Sequence, residues 1–405
     1  MKWQRSAWKL SALVFSGVAV LLLGWKASDK VLLPGARPTI DAANYPSLQA
    51  ALDAVPAAGG LVILPPGEFE IQETLWLQTT DTTLQGSGAA THIINRNESG
   101  QPALMIGKKT HGDKKPPGSD HLWRIRIADL RITGNEKSGH GIAARYVEEI
   151  FIHGVSISHH GGNGIHLDQA YEDPRVSDCL ITYNTGVGLY LYGCHDIIVS
   201  ANQFEENQDA VHCIDGYNLC MTGNNLDDHL GHGVVVENTY GSVISGNMIE
   251  ECAGAAVILD RDCYGDTVSA NVIAHNGLGV DLRDAHGCAV SANTFTILKT
   301  NAVRVGPASG RITVSGNNFS NSYLGDGKLR RVGNDLAAAG MVVEGASDIA
   351  ITGNVFASVR PQGLELKGEC PRLLVSGNLF VDAENDAKEL PDGSLSTGNL
   401  TSPGK

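Results

Sequence analysis

The stretch VSANVIAHNGLGVDLRDAHGCAVSAN, Val268 to Asn293, opens and closes on the same four letters. Related tetrapeptides end at Asn202, Asn224, Asn247, Asn317, Asn354 and Asn378, about 22 to 24 residues apart except between Asn317 and Asn354. A fixed period of this size marks a solenoid built from one repeated unit. The long interval reads as an inserted loop near residues 320–339, polar and glycine-bearing, leaving one face of the repeat.

About 14 residues before each asparagine stands a second recurring segment: GIHLD from Gly164, GLYLY from Gly188, AVHCI from Ala210, GVVVE from Gly233, AVILD from Ala256, GVDLR from Gly279 and AVRVG from Ala302. The series closes with GMVVE from Gly340 and GLELK from Gly363. Second and fourth positions are apolar in every copy, which is the alternation of a strand with one buried face. Short strands at this period, with no helix between them, predict an all-β fold: a single-stranded right-handed parallel β-helix. Equivalent residues of successive coils then stack at about 4.8 Å, and the asparagines form an internal ladder, because a buried amide must find partners. Cys179 takes an asparagine slot and Cys213 an inward strand position, so both read as core residues, while pairing of the other six of the eight cysteines stays open.

Composition agrees with one elongated domain. The chain has 405 residues, 48 of them glycine, is 42% hydrophobic, and carries a net charge of −14. That charge excludes a nucleic-acid partner and works against long-range attraction of polyanions. Lys2, Arg5 and Lys9 precede an apolar run from Leu10 to Trp25, the layout of an export signal or an uncleaved N-terminal anchor over residues 1–30. The expected product is an exported monomer, periplasmic or secreted, touching a membrane only through that segment. The coil is expected over 39–385, with a tail at 386–405.

The segment TIDAANYPSLQAALDAVPAAGGLVILPPGEFEIQETLWLQTTDTTLQGSG, Thr39 to Gly88, resembles the N-terminal cap and first coils of the pectate-lyase-like β-helix superfamily, which includes polygalacturonases, rhamnogalacturonases and uronan epimerases. The resemblance implies a short amphipathic capping helix at Tyr45 to Ala54, a first coil entered through Pro65, Pro66 and Gly67, and a polysaccharide site on one outer sheet face.

Third and fifth pentad positions point outward and so form columns. His166, Tyr190 and His212 follow one another in the third column, with Asp168 and Tyr192 in the fifth; later, Glu237, Asp260 and Arg283 take fifth positions and Asp281 and Arg304 third positions. Flat rings suit pyranoses, paired carboxylates suit acid–base work, and arginines suit uronates. A glycoside hydrolase would use Asp260 with Glu237 or Asp281. A lyase or epimerase would use His212 or Tyr190 as base and Arg283 or Arg304 as neutraliser, with calcium an option and no other cofactor required. The alternative is a non-catalytic glycan-binding or scaffold protein, in which Glu237, Asp260 and Arg283 are only a surface ion-pair ladder.

NQDAVHCI, GHG and NAVRV are similar to polygalacturonase motifs, which places His232 and Arg304 among the substrate-binding candidates and Asp209 at an aspartate position. The chain departs from that pattern at Ala210, NTGVG and Gly306, and has no epimerase-type Asp-Pro-His. His159 and His160 are expected to be surface turn residues.

Overall fold

The computed structural model describes residues 33–112, 114–320 and 340–403. Thr39–Lys405 forms one compact unit, a parallel β-solenoid of right hand. Each coil contributes three strands. In the coil of the opening stretch these are Thr267–Ser269, Val272–Ala274 and Leu278–Leu282. The strands of the pentads form a front sheet; those before each asparagine form a second sheet, joined to the first where strands such as Ile142–His153 run through the corner. The strands after each asparagine build a separate sheet of 14, one per coil.

Inside, the ladder runs as the period requires. Asn271 Oδ1 accepts from the backbone N–H and Nδ2 of Asn247, at 2.9 and 3.0 Å. Its own Nδ2 donates to Asn293 Oδ1 and to Ile244 O, both at 3.0 Å, so the buried amide is fully satisfied. The residue before each asparagine makes a left-handed bend, with φ of 54° at Ala270 and 70° at Gly246, which is why that position holds glycine or a small residue. The chain extends the ladder by one rung beyond expectation, to Asn399. The coils flanking 321–339 remain adjacent: Asn317 bonds Asn354 at 3.0 Å and Phe319 stacks on Phe356 at 4.5 Å. The expected inserted loop itself and the N-terminal signal lie outside the described residues.

A second internal ladder was not anticipated. Asn184, Asn207 and Asn276 occupy its slots, and His160 and His229 substitute for asparagine there. His160 is therefore not a surface turn residue: it is fully buried, and its N–H donates to Asn184 Oδ1. Burial, the main cause, pushes both imidazoles down to about 4. All eight cysteines are free thiols, with Cys179 donating its N–H to Asn202 in the ladder and only Cys220 exposed.

The expected cap is the helix Leu48–Asp53, shorter than Tyr45 to Ala54, with Ser47 accepting from Ala50 N at its start. Gln49 accepts from Trp76 N and donates to Trp76 O, at 2.8 and 3.2 Å. That side-chain amide completes the backbone pairing of the edge strand Leu75–Leu77, which would otherwise be open to another chain. At the other end, Leu395–Thr397 and Leu400–Ser402 pair onto the preceding coil, inside the stretch read from sequence as a tail.

Candidate functional site

The outer face of the front sheet brings the third-column residues into register as expected: His166 pairs Tyr190, which pairs His212, and further along Asp281 pairs Arg304. Their rings form a continuous row. His140 lies 4.5 Å from His166, His166 stacks on Tyr190 at 4.9 Å and 17°, and Tyr190 meets His212 edge-on at 5.5 Å. His140 is an addition to the sequence reading. It comes from a further outward column, the residue just before each pentad, which also supplies Asn163, Asp209 and His232. At the cap end the row leads to a cleft of about 170 Å³ lined by Trp76, Met105, Lys109 and Arg145.

The two expected clusters do not merge into one exposed groove. Val235 and Ile258, the third-column residues between His212 and Asp281, are buried with Ala255 under Leu278, making an apolar floor between an aromatic half and a charged half.

In the charged half Asp281 departs most from expectation. It is only 4% exposed, because two guanidinium groups close over it: Arg283 Nε donates at 2.7 Å and Arg304 at 3.0 Å. With both carboxylate oxygens held by guanidinium groups, Asp281 serves as an anchor for the arginines. Arg304 also binds Glu344 at 2.8 Å, and Arg283 reaches Asp260 at 3.6 Å. The ion-pair ladder is thus real in part, but Glu237 takes its cation from Arg261, at 2.8 Å, a residue just past the pentad that column reading did not reach. Asp168 is likewise bound by Arg145, at 2.6 Å. Tyr192, 40% exposed, stands free at the rim.

Between the halves, His212 Nε2 lies 3.5 Å from Glu237 Oε1 and is buried without a hydrogen bond. His232 is locked in one tautomer. Its Nδ1 accepts from Ala255 N–H at 2.9 Å, so the ring proton sits on Nε2, and its own N–H donates to Asp209 Oδ1 at 2.6 Å. Burial holds the His232 imidazole below its ordinary range, and pushes His140 and His166 down to about 4. Burial also raises the Tyr190 phenol, with Glu237 adding to the effect. His140, His166 and Tyr190 are therefore neutral rings at physiological pH, in a row that faces carboxylates and arginines.

Residues 117–242 match a family model described as right handed beta helix region, and residues 185–329 match one described as NosD, periplasmic copper-binding protein. The A-module of a mannuronan C-5 epimerase from Azotobacter vinelandii superposes with a TM-score of 0.64 at 17% identity, covering 84% of this chain and 100% of that one. The chain is a right-handed parallel β-helix protein. A second A-module of a mannuronan C-5 epimerase from that organism, also a β-helix by this likeness, gives 0.56 at 18% identity over 90% and 97% of the two chains. The catalytic unit of a thermostable alpha-1,3-glucanase from Streptomyces thermodiastaticus gives 0.53 at 15% identity over 85% and 69%. At these identities the likeness shows the fold. No curated protein matches the sequence.

The copper in the second family's description finds no fitting site among the described residues of this β-helix. The side chains able to converge on an ion are Glu250, Glu251 and His275, and Asp227, Asp228 and Glu251. They are oxygen-rich sets, chemistry suited to hard cations rather than copper. Burial pushes the Cys213 and Cys252 thiols up to about 12, which keeps them protonated. These carboxylates also belong to the 14-stranded sheet and its turns, not to the face where the sequence placed an optional calcium.

Proposed function

We propose that this protein is an exported, polysaccharide-active β-helix protein that holds a glycan along the front sheet. The observation that carries this reading is the ring row His140, His166, Tyr190 and His212, continued by His232 and the arginine pair on Asp281. Rings on an outer face serve no core, and sugars bind to aromatic faces bordered by hydrogen-bonding groups. Proton transfer is assigned to His212 and Glu237, with Tyr190 beside them, because His212 Nε2 is the one nitrogen there that faces a carboxylate while lacking a hydrogen-bond partner. His166, Asp168, Tyr192, His232, Arg283 and Arg304 are assigned to substrate contact, and Asp260 to support of Arg283.

The reaction class follows from which group accepts the proton. Epimerisation or elimination on a uronate is consistent with His212 as base and nearby arginines, and the epimerase modules share the fold. A hydrolase needs two spare carboxyls, and on this face Asp281 is sealed while Glu237 and Asp260 already face arginines. That same saturation favours, as the second reading, a binding protein without catalysis. Export agrees with the N-terminal basic and apolar layout and with the periplasmic description of one matching family.

The test is to incubate the purified protein with alginate, pectin and neutral glucans, with and without calcium. Reducing ends, unsaturated-uronate absorbance and inversion at C5 by proton NMR are then followed. Inversion or absorbance lost in His212→Ala supports the lyase or epimerase reading. Reducing ends alone support hydrolysis, retention without product supports a binding protein, and neither retention nor product on any polymer removes the proposal.

A further inference from the structure

A second aromatic row runs along the corner where the front sheet meets its neighbour. After each pentad the chain turns through a short polar-x-aromatic segment: QAY at Gln169, DGY at Asp215, NTY at Asn238, DCY at Asp262 and DAH at Asp284, with GCH at Gly193 completing the series. The aromatics Tyr171, His195, Tyr217, Tyr240, Tyr264 and His286 thereby fall on six consecutive coils. His195, Tyr217, Tyr240 and Tyr264 are bridged in register, and Tyr264 pairs His286.

This row differs from a stack made for stability. The internal phenylalanines 295, 319, 356 and 380 lie within 6° of parallel and are buried to 1% or less. On the corner, Tyr171 meets His195 at 88° and His195 meets Tyr217 at 63°, while Tyr217 and Tyr240 stack at 26° and 5.6 Å, so the rings are not one parallel stack. Tyr217 is 45% and Tyr264 49% exposed. In three segments the polar member contacts its ring: Tyr171 donates to Gln169, Tyr240 donates to Asn238, and Asp284 contacts His286 at 3.1 Å, and Gln169, Asp215, Asn238 and Asp262 all sit in left-handed backbone.

We propose that this row is a second carbohydrate track, taking an uncharged polysaccharide laid along the coil axis beside the front-sheet groove. The ligand class rests on reading that groove as a glycan site, with which the row is continuous: His195 follows Tyr192 across a single left-handed turn at Gly193. Half-exposed rings such as Tyr217 and Tyr264, alternating with amides and carboxylates at one rung per coil, about 4.8 Å, match a chain of repeated pyranoses, each with an apolar face and equatorial hydroxyls. Asp215, Asp262 and Asp284 give the row an acidic border, which disfavours a polyanion. A protein partner would instead meet a dry apolar core with few carboxylates.

Native electrophoresis of the full chain through gels containing mixed-linkage β-glucan, xylan or alginate tests this. The expected result is retardation by a neutral polymer, weakened at least tenfold in Tyr217→Ala/Tyr240→Ala/Tyr264→Ala and kept in the corresponding triple Phe variant, with melting temperatures equal. Retardation by the neutral polymers that is unchanged by the triple Ala substitution or absent in the wild type would overturn the proposal, as would a triple Ala substitution that weakens retardation by alginate more than retardation by the neutral polymers. Tyr190→Ala separates the two readings: if it leaves retardation intact while no polymer yields product, the groove reading fails and the corner track stands.

Discussion

Nε2 of His212 stands 3.5 Å from Oε1 of Glu237, one coil further along the same face. Because the other carboxylate oxygen of Glu237 is held by Arg261 at 2.8 Å, the carboxylate is positioned rather than free to swing. Glu237→Gln keeps the shape and removes the charge, so the turnover on whichever polymer is processed is expected to fall about 100-fold or more, with KM little changed. Equal turnover in this variant would exclude Glu237 from the chemistry.

Asp281 is expected to matter for stability before it matters for catalysis. Asp281→Asn leaves Arg283 and Arg304 without their shared counter-ion. Since both guanidinium groups reach solvent and keep Asp260 or Glu344 nearby, the loss should be about 2–3 kcal/mol, below that for a fully buried pair. Urea denaturation with an unchanged slope reads this directly.

Asn271→Ala orphans the N–H of Asn247 and the side-chain-bound carbonyl of Ile244, and takes one of two partners from Asn247 Nδ2 and from Asn293 Oδ1. Each orphan costs about 1–3 kcal/mol, and the sum is not additive, so a destabilisation of at least about 3 kcal/mol is expected by the same measurement. A loss under about 1 kcal/mol would mean that the ladder is filled by water at little cost.

Two buried groups should act oppositely with pH. His229 takes up a proton in the unfolded chain near 6.5 but in the folded protein only near 4, so its contribution is complete above pH 6.5 and is lost as pH falls toward 4. His229→Asn fits an asparagine slot and should flatten that loss. Burial raises Asp266 from 3.8 to about 6, so stability is greatest below 3.8 and declines as pH rises through 6. Asp266→Asn should therefore stabilise the protein by about 1–3 kcal/mol at pH 7 and by little at pH 4. Midpoints measured at pH 4, 5.5 and 7 separate the two.

The coil was legible because its signals are periodic. Asparagines with a left-handed bend before them, and pentads of fixed alternation, report the same geometry over and over. The ring row was legible for the same reason, since third positions stack by construction. What column reading could not supply was depth: Asp281 and Ile258 are outward by parity yet buried, one under guanidinium groups and the other under Leu278. Nor could it place residues outside the pentad, such as Arg261 and His140, whose reach depends on turns. His160 was misplaced because a histidine in an asparagine slot looks like turn chemistry until the neighbouring coils are superposed.

Phe319 on Phe356 and Asn317 on Asn354 have one more implication. A segment leaving after Ser320 and returning at Gly340 re-enters a scaffold whose rungs are already zipped on either side. This position is therefore a natural port for grafted cargo, such as a label or a whole guest domain, that the solenoid would carry without having to re-register its coils.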